Sequence, residues 1–190
     1  AWDNKQMDTV QALMPTLKAY PLYPYLEYRQ ITDDLMNQPT VTVNNFIQAN
    51  PTLPPARTLQ SRFVNELARR EDWRGLLAFS PEKPNTTEAQ CNYYYAKWVT
   101  GQQEEAWAGA KDLWLTGKSQ PNACDSLFGA WRASGKQDPL AYLERIRLAM
   151  KAGNTRLVTT LAGQMPSDYQ TISTAVIALA NDPNSVLTFA

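Results

Sequence analysis

Hydrophobic residues recur along most of the chain at the spacing of an amphipathic helix, and no segment sustains the period-2 alternation of a β-strand. Leu59, Phe63 and Leu67 repeat at i, i+4 and i+8, the pattern of one buried helix face. On the opposite side, Arg62, Glu66 and Arg70 predict an exposed ladder of ion pairs. The pattern predicts an all-helical chain.

Start and stop signals divide the chain into short helices. Asp138-Pro139 predicts a helix start, and Gly153-Asn154 predicts the end of that helix and the start of the next. Capping boxes are predicted from Thr87 and from Ser167, and Thr40 is predicted to lie at a helix start. Within the helix that follows Pro139, the residues expected to line one buried face are Leu140, Leu143, Ile146 and Met150.

Turn signals every 12 to 18 residues or so favour helix hairpins stacked in series over a four-helix bundle. One stretch lies close to the spacing of a tetratricopeptide repeat, with a glycine between its two helices: Tyr94, Trp98, Gly101, Ala106, Ala110 and Leu113. The match is partial, so the hairpins are TPR-like. No linker composition appears, and the chain is expected to form a single domain over residues 1–190.

Composition and charge exclude several functions. Lys plus Arg and Asp plus Glu each total 18, so no basic footprint indicates a nucleic-acid partner. The absence of histidine excludes Ser-His-Asp and Cys-His catalysis and His-ligated zinc. No Gly-rich phosphate loop, metal-ligand cluster or apolar run long enough to span a membrane is present. We expect no cofactor, no metal site and no membrane span.

Carboxylate pairs are the remaining catalytic option, at Asp33-Asp34, Glu71-Asp72 and Glu104-Glu105. Neighbouring residues diverge by about 100° on a helix, so these pairs are interpreted as solvated helix-end residues. No Glu lies in an apolar stretch that would raise its pKa for acid catalysis. No catalytic residue is therefore predicted.

Aromatic residues crowd two segments, and two interpretations stay open for them. Their faces could stack on sugar rings or receive a peptide, or they could pack the helices together. Core packing is the favoured interpretation, and no individual substrate-binding residue is assigned. The residues concerned are Tyr20, Tyr23, Tyr25 and Tyr28, and then Tyr93, Tyr94, Tyr95, Trp98, Trp107 and Trp114.

Cys91 and Cys124 are the two cysteines. They cannot build a zinc site alone and do not form a C-x-x-C motif. They are either two buried free thiols or one disulfide in an oxidising compartment.

At the chain ends, Ala1 leads directly into a helical pattern, and residues 185–190 end on an uncapped apolar turn. We expect the chain to be a fragment.

Four long segments carry a family resemblance: YPLYPYLEYR at 20–29, NPTLPPAR at 50–57, EDWRGLL at 71–77 and DPLAYLER at 138–145. They resemble the N-terminal part of the soluble lytic murein transglycosylases of enteric bacteria. The resemblance runs over essentially all 190 residues. It implies a periplasmic enzyme that cleaves the MurNAc-β-1,4-GlcNAc bond of peptidoglycan and leaves a 1,6-anhydro-muramoyl end.

In that family, a U-shaped superhelix of short helices closes into a ring, and a separate lysozyme-like domain performs the chemistry with one Glu as acid and then base. The family's catalytic motifs, Glu-Ser, Gly-Leu-Met-Gln and Ala-Tyr-Asn-Ala-Gly, are absent from this chain. No catalytic residue can therefore be carried over. The resemblance implies a right-handed α-solenoid of short antiparallel hairpins, without the catalytic domain.

A periplasmic location implies a disulfide between Cys91 and Cys124, because alternate helices of a hairpin stack are neighbours. The expected role is to form part of the ring that holds or guides peptidoglycan glycan strands. The alternative is a TPR-like scaffold that binds protein partners of the cell-wall machinery. An independent hydrolase is poorly supported, because no acid/base pair converges.

Overall fold

The structure is a computed structural model that describes residues 2–4 and 6–188. The protein is 74% helical, and no strand occurs among the described residues, so the all-α prediction is confirmed. Contacts between Cα atoms divide the chain into two compact units, Ala1–Pro84 and Asn85–Ala190. The superhelix and the single domain over residues 1–190 stay predictions.

The first unit contains five described α-helices and two short 3-10 segments. The α-helices are α1 (Met7–Leu13), α2 (Tyr23–Asp33), α3 (Thr40–Ala49), α4 (Pro54–Arg69) and α5 (Trp73–Phe79), and the 3-10 segments are Met14–Leu17 and Leu35–Asn37. Helix α4 packs against α2, α3 and α5. It begins with two prolines, whose fixed φ suits the first helical turn.

The predicted buried face of α4 is confirmed, because Leu59, Phe63 and Leu67 are at most 1% exposed. The predicted ion ladder is confirmed at its Glu66–Arg70 step and wrong at its Arg62–Glu66 step. Glu66 pairs with Arg69 at 2.7 Å and with Arg70 at 3.0 Å, whereas Arg62 donates to the Tyr28 hydroxyl of α2. The Glu66 side chain is largely buried. Both of its arginine partners lie at the C-terminal end of its own helix.

The second unit contains six described α-helices and two 3-10 segments. The α-helices are α6 (Thr87–Val99), α7 (Gln103–Trp114), α8 (Ala123–Ala133), α9 (Pro139–Lys151), α10 (Thr155–Gly163) and α11 (Gln170–Asn181), and the 3-10 segments are Ser167–Tyr169 and Pro183–Thr188. Helix α6 packs against both α7 and α8, α9 against α10, and α10 against α11. Successive and alternate helices are therefore neighbours within this unit.

The α6–α7 hairpin has the predicted glycine turn, and small residues line the contact between its two helices. Gly101 lies in the turn with φ +92°, a conformation that favours glycine. Ala106 is fully buried, as expected at a crossing. The two helices also approach closely at Gly109, where an added Cβ would overlap the ring of Tyr94.

A disulfide joins Cys91 of α6 to Cys124 of α8, with the two Cα atoms 4.9 Å apart. Both residues are fully buried. The predicted disulfide is confirmed, and its alternative, two free thiols, is excluded. The covalent bond fixes α6 beside α8, the same pairing that the buried apolar side chains favour.

Helix starts follow the sequence signals in part. Asp138 caps α9 by accepting from the backbone N–H of Leu140, and Asn154 caps α10, both as predicted. The predicted capping boxes are wrong: Thr86, one residue earlier than expected, caps α6, and Ser167 begins a 3-10 segment after Pro166. Thr86 has the extended backbone that lets its hydroxyl accept the Ala89 N–H.

The predicted buried face of α9 is confirmed at Ile146, only half-buried at Leu143, and wrong at its two end members. Leu140 is 64% exposed and Met150 is 42% exposed, whereas Ile146 is buried. The side chains that α9 buries are those of Tyr142, Arg145, Ile146 and Ala149. The face is rotated from the expected one, and it brings a charged residue into the interior.

Candidate functional site

A cleft with a volume of about 450 Å³ opens in the second unit, between α8 and α10. We call it the arginine cleft, because α8, α9 and α10 each contribute one arginine to its wall. Its other walls combine the aromatic rings at its base with apolar and uncharged polar side chains. The lining residues are Trp114, Ser119, Gln120, Asp125, Phe128, Gly129, Arg132, Arg145, Arg156, Leu157, Thr160, Leu161 and Gln164.

The charge of the arginine cleft is mainly positive. Arg132 and Arg156 are exposed at its edge, and Asp125 is the one carboxylate among its lining residues. Arg132 donates to the Gln164 side-chain oxygen at 3.2 Å, which holds its guanidinium across the end of α10. None of the three arginines pairs with Asp125 among the described residues. The cleft therefore presents unneutralised guanidinium groups.

Arg145 is the unusual member of this group. It is only 4% exposed, and its guanidinium carbon lies 4.2 Å from the ring centre of Trp114 and 5.5 Å from that of Phe128. Its Nε has no hydrogen-bond partner among the described residues. Burial lowers the pKa of the Arg145 guanidinium to about 10, because removal from water disfavours the charged form. It remains a cation at neutral pH.

Trp114 forms the base of the cleft and the centre of an aromatic cluster. Its ring lies edge-on to those of Phe128, Trp131 and Tyr142, at centre distances of 5.0, 6.2 and 5.1 Å. Its indole N–H donates to the backbone oxygen of Ala141 at 3.0 Å. Trp114 is therefore a core residue, consistent with the core-packing interpretation, and the Arg145 guanidinium packs on its ring.

The aromatic residues of α6 and α7 divide between the two interpretations. Tyr93 is buried, and Tyr94 packs against Gly109. Three half-buried rings form a row on the hairpin, with Tyr95 and Trp98 centred 5.2 Å apart and Trp98 and Trp107 centred 6.2 Å apart. We call this row the hairpin aromatics. It packs partly on the core and leaves ring area accessible to a ligand.

The tyrosines of the first unit are more exposed. Tyr20 and Tyr25 are 57% and 44% exposed. Tyr28 is half-buried, and its hydroxyl accepts from Arg62 at 3.0 Å. The structure does not bring the four tyrosines of segment 20–28 into one row of stacked rings, and their shared sequence position gives no common site.

The first unit has its own cleft, with a volume of about 390 Å³, and Glu27 lines it. Burial raises the pKa of the Glu27 carboxyl, so the expectation that no Glu has a raised pKa is wrong. The cause is burial of the carboxyl beside a cleft that α2 and α3 both line. No second carboxylate lines this cleft, so it lacks the pair of acids that ordinary glycoside hydrolysis uses.

At least one carboxylate of each of the three pairs has its own separate partner, and no two pairs share a site. Asp33 accepts from the Trp2 indole N–H, and Asp34 accepts from Asn37 at 2.7 Å. Asp72 caps α5, and Glu105 pairs with Lys97 at 2.7 Å. These contacts agree with the prediction that the pairs are helix-end residues.

Residues 2–4 and 6–188 contain neither a cluster of metal ligands nor a membrane-spanning helix. No three Asp, Glu or Cys side chains in this part lie close enough together to hold a metal ion. None of its helices is long and apolar enough to cross a lipid bilayer. The expected absence of a metal site and of a cofactor stays a prediction.

Sequence reasoning missed the arginine cleft. Arg132, Arg145 and Arg156 lie on three different helices, and none forms a recognisable motif. The available signal was local: Arg145 lies three residues after Tyr142 and four before Ala149, on the face that also carries Ile146. An arginine at helical spacing from residues that are expected to be buried indicates that its guanidinium group is buried with them.

Comparison with known proteins matches the chain to one segment of longer relatives. No protein-family model matches it. It is 85% identical over all 190 residues to the soluble lytic murein transglycosylase of Escherichia coli K12, and 83% identical to that of Salmonella typhimurium. The chain spans 30% of the length of each of these relatives.

Solved structures agree. The 70-kDa soluble lytic transglycosylase of Escherichia coli matches the whole chain with a TM-score of 0.96 and 85% identity, over 31% of its own length. A complex of the 70-kDa soluble lytic transglycosylase with bulgecin A gives the same values. An inactive mutant of the lytic transglycosylase Slt from Pseudomonas aeruginosa matches 93% of the chain and 29% of its own, with a TM-score of 0.83 and 33% identity. The chain therefore corresponds, over its whole length, to one segment of the soluble lytic murein transglycosylases, and the resemblance seen in its sequence is confirmed.

Proposed function

We propose that this chain is a non-catalytic, superhelical part of a periplasmic peptidoglycan lytic transglycosylase, and that it forms part of a ring that holds or guides the glycan strand. One observation carries the proposal: 85% identity and a TM-score of 0.96 over the whole chain, against structures of which it spans 31%. The parent protein would cleave the MurNAc-β-1,4-GlcNAc bond and leave 1,6-anhydro ends, with the catalytic domain outside this chain.

The side chains support a binding role over a catalytic one. The carboxylate pairs that were candidates for acid/base work have local structural partners. The hairpin aromatics offer partly accessible ring faces, which stack on sugar rings in many carbohydrate sites. A disulfide supports the periplasmic location, because such bonds persist in oxidising compartments.

The first test is co-sedimentation of the chain with purified peptidoglycan sacculi at low micromolar concentration. We expect the chain to pellet, and we expect soluble glycan strands to release it. A helical protein of neutral net charge is the control, because this chain has equal numbers of basic and acidic side chains. A chain that stays in the supernatant would contradict glycan binding and favour the alternative, a TPR-like scaffold for protein partners of the cell-wall machinery.

A pair of variants distinguishes stacking of aromatic rings on sugars from non-specific adhesion of the chain to sacculi. Trp98→Leu keeps an apolar side chain in the hairpin aromatics and removes its large ring face. Tyr25→Leu makes a matched change at an exposed aromatic of the first unit. We expect W98L to pellet less than Y25L. Equal pelleting of the two would show that the hairpin aromatics do not contact glycan.

A second assay tests whether the chain alone lacks lytic transglycosylase activity. The purified chain, incubated with sacculi, is expected to release no 1,6-anhydro-muropeptides, as measured by liquid chromatography and mass spectrometry. Release that persists in repeated preparations would overturn the non-catalytic assignment.

A further inference from the structure

We propose that the arginine cleft binds the free carboxylate of a peptide. The proposal goes beyond the proposed function and rests on the second unit alone. Its starting point is Arg145, a residue only 4% exposed, which lines the cleft and whose Nε has no hydrogen-bond partner among the described residues.

A buried cation without an acceptor is costly, because it loses its water without gaining a partner. The rings of Trp114 and Phe128 offset part of that cost by cation–π contact. They offer no acceptor for the N–H groups, and the Nε remains without a partner. A ligand oxyanion in the cleft would supply the missing acceptor.

The remaining arginines favour the same ligand chemistry. Arg132 and Arg156 lie at the edge of the cleft, one on α8 and one on α10. Guanidinium groups bind a carboxylate through paired N–H donors in one plane. Arg132 is already oriented by Gln164, so less side-chain freedom is lost when an anion binds there.

The cleft is larger than an isolated anion requires. Its volume is about 450 Å³, whereas one water molecule takes about 30 Å³ of liquid. Leu157 and Leu161 line it beside Thr160 and Asp125. This combination suits a short peptide, whose aliphatic side chains contact the leucines while an N–H group donates to Asp125. The single acidic side chain also disfavours a doubly charged phosphate.

The test is a titration of the ¹⁵N-labelled chain with acetylated alanyl-alanine, as the free acid and as its C-terminal amide. We expect the free acid to shift the indole N–H resonance of Trp114, which touches Arg145. The amide should bind about tenfold more weakly, the effect of losing one charge-assisted hydrogen bond. Both D,D and L,L forms are used: a D,D preference points to a cell-wall peptide, and an L,L preference points to a protein C-terminus.

Variants locate the site. Arg132→Gln and Arg156→Gln change exposed residues, so each should leave the fold intact and weaken binding of the free acid severalfold. Arg147→Gln is the matched control: Arg147 lies on α9 two residues from Arg145, but it is exposed and pairs with Glu144 at 2.6 Å outside the cleft. R147Q should bind as the unaltered chain does.

Three results would overturn the proposal: equal affinity for acid and amide, no binding of any peptide at millimolar concentration, or binding of inorganic phosphate without binding of peptide acid. Equal loss in R147Q and in R132Q would overturn it too, since it would show a general charge effect. None of these results bears on co-sedimentation with sacculi, so the two proposals fail separately.

Discussion

Cys91 of α6 and Cys124 of α8 are covalently joined and fully buried, although 33 positions separate them in sequence. The bond links a helix to the second helix after it. Trp114 of the intervening α7 is also buried beside the same aromatic and apolar side chains. The disulfide therefore closes a loop around one complete helix of the second unit.

Removing this disulfide should destabilise the second unit. Closing a loop of this length stabilises a fold by about 3 to 4 kcal/mol in the chain-entropy description. We expect Cys91→Ala/Cys124→Ala to unfold at a lower urea concentration than the oxidised chain, followed by circular dichroism. Addition of a reductant should lower the midpoint of the unaltered chain and leave that of the double variant unchanged. An unchanged midpoint in the double variant would contradict the prediction.

The crossing of α6 and α7 should depend on the missing side chain of Gly109. Its Cβ would overlap the ring of Tyr94, so Gly109→Ala must displace that ring or separate the helices. We expect a loss of about 1 to 3 kcal/mol in unfolding free energy, typical of overpacking. Thermal and urea unfolding measure it.

Gly129→Ala is the matched control for that prediction. Gly129 lies within α8, and a Cβ there meets no atom within 4 Å. Alanine in a helix interior is favoured over glycine by about 0.5 to 1 kcal/mol. G129A should therefore stabilise the chain. If both variants shift the midpoint in the same direction, the crossing is not the cause.

The positions of the helices were largely predictable from the sequence. Which side chains each helix buries was less predictable. Asp138-Pro139 and Gly153-Asn154 are local signals, and the structure starts and ends α9 at these places. Which face of α9 is buried depends on the helices around it. Arg145 lies inside because its stem and planar head pack on aromatic rings, whereas an apolar pattern selects Leu140 and Met150.

The clefts were not predictable, because each depends on helices that fold together. Burial raises the pKa of the Glu27 carboxyl, and the cleft that it lines is formed by α2 together with α3. The arginine cleft joins positions on α8, α9 and α10. Charge counts that are balanced over the whole chain conceal this local concentration of positive charge.

Glu66 should make the stability of the first unit depend on pH in the acidic range. Hydrogen bonds from Arg69, with those from Arg70, hold the pKa of its carboxyl at about 2, below the ordinary 4.5. The unfolded chain therefore binds a proton more readily than the folded chain between these values. The stabilisation is complete above about pH 5 and is lost as the pH falls toward 2.

The measurement for Glu66 is the urea midpoint of the unaltered chain and of Glu66→Gln from pH 7 to pH 3. We expect Glu66→Gln to be less stable at pH 7 and to lose less stability on acidification. Glu144→Gln is the control, because Glu144 also pairs with an arginine but is more exposed. Parallel pH profiles for E66Q and the unaltered chain would contradict the assignment.

Arg145 should make the folded chain less stable than an apolar residue of similar volume would at the same position. Methionine has a similar length, fills the same space beside Trp114 and Phe128, and carries no charge that must be desolvated. Replacing an unpaired buried charge by an apolar residue of similar volume is often neutral or stabilising. The cation–π contact, worth about 2 kcal/mol when desolvated, is smaller than the several kcal/mol that burial of an unpaired ion costs.

We therefore expect Arg145→Met to match or exceed the unaltered chain in its urea midpoint, while it loses binding of the peptide acid. Arg147→Met, on the exposed side of the same helix, should change neither property by more than a small amount. If R145M instead unfolds at a clearly lower urea concentration, Arg145 contributes to the core, and its loss of binding would no longer identify a ligand contact. A stable variant that cannot bind would show that the buried cation serves a ligand at the expense of folding stability.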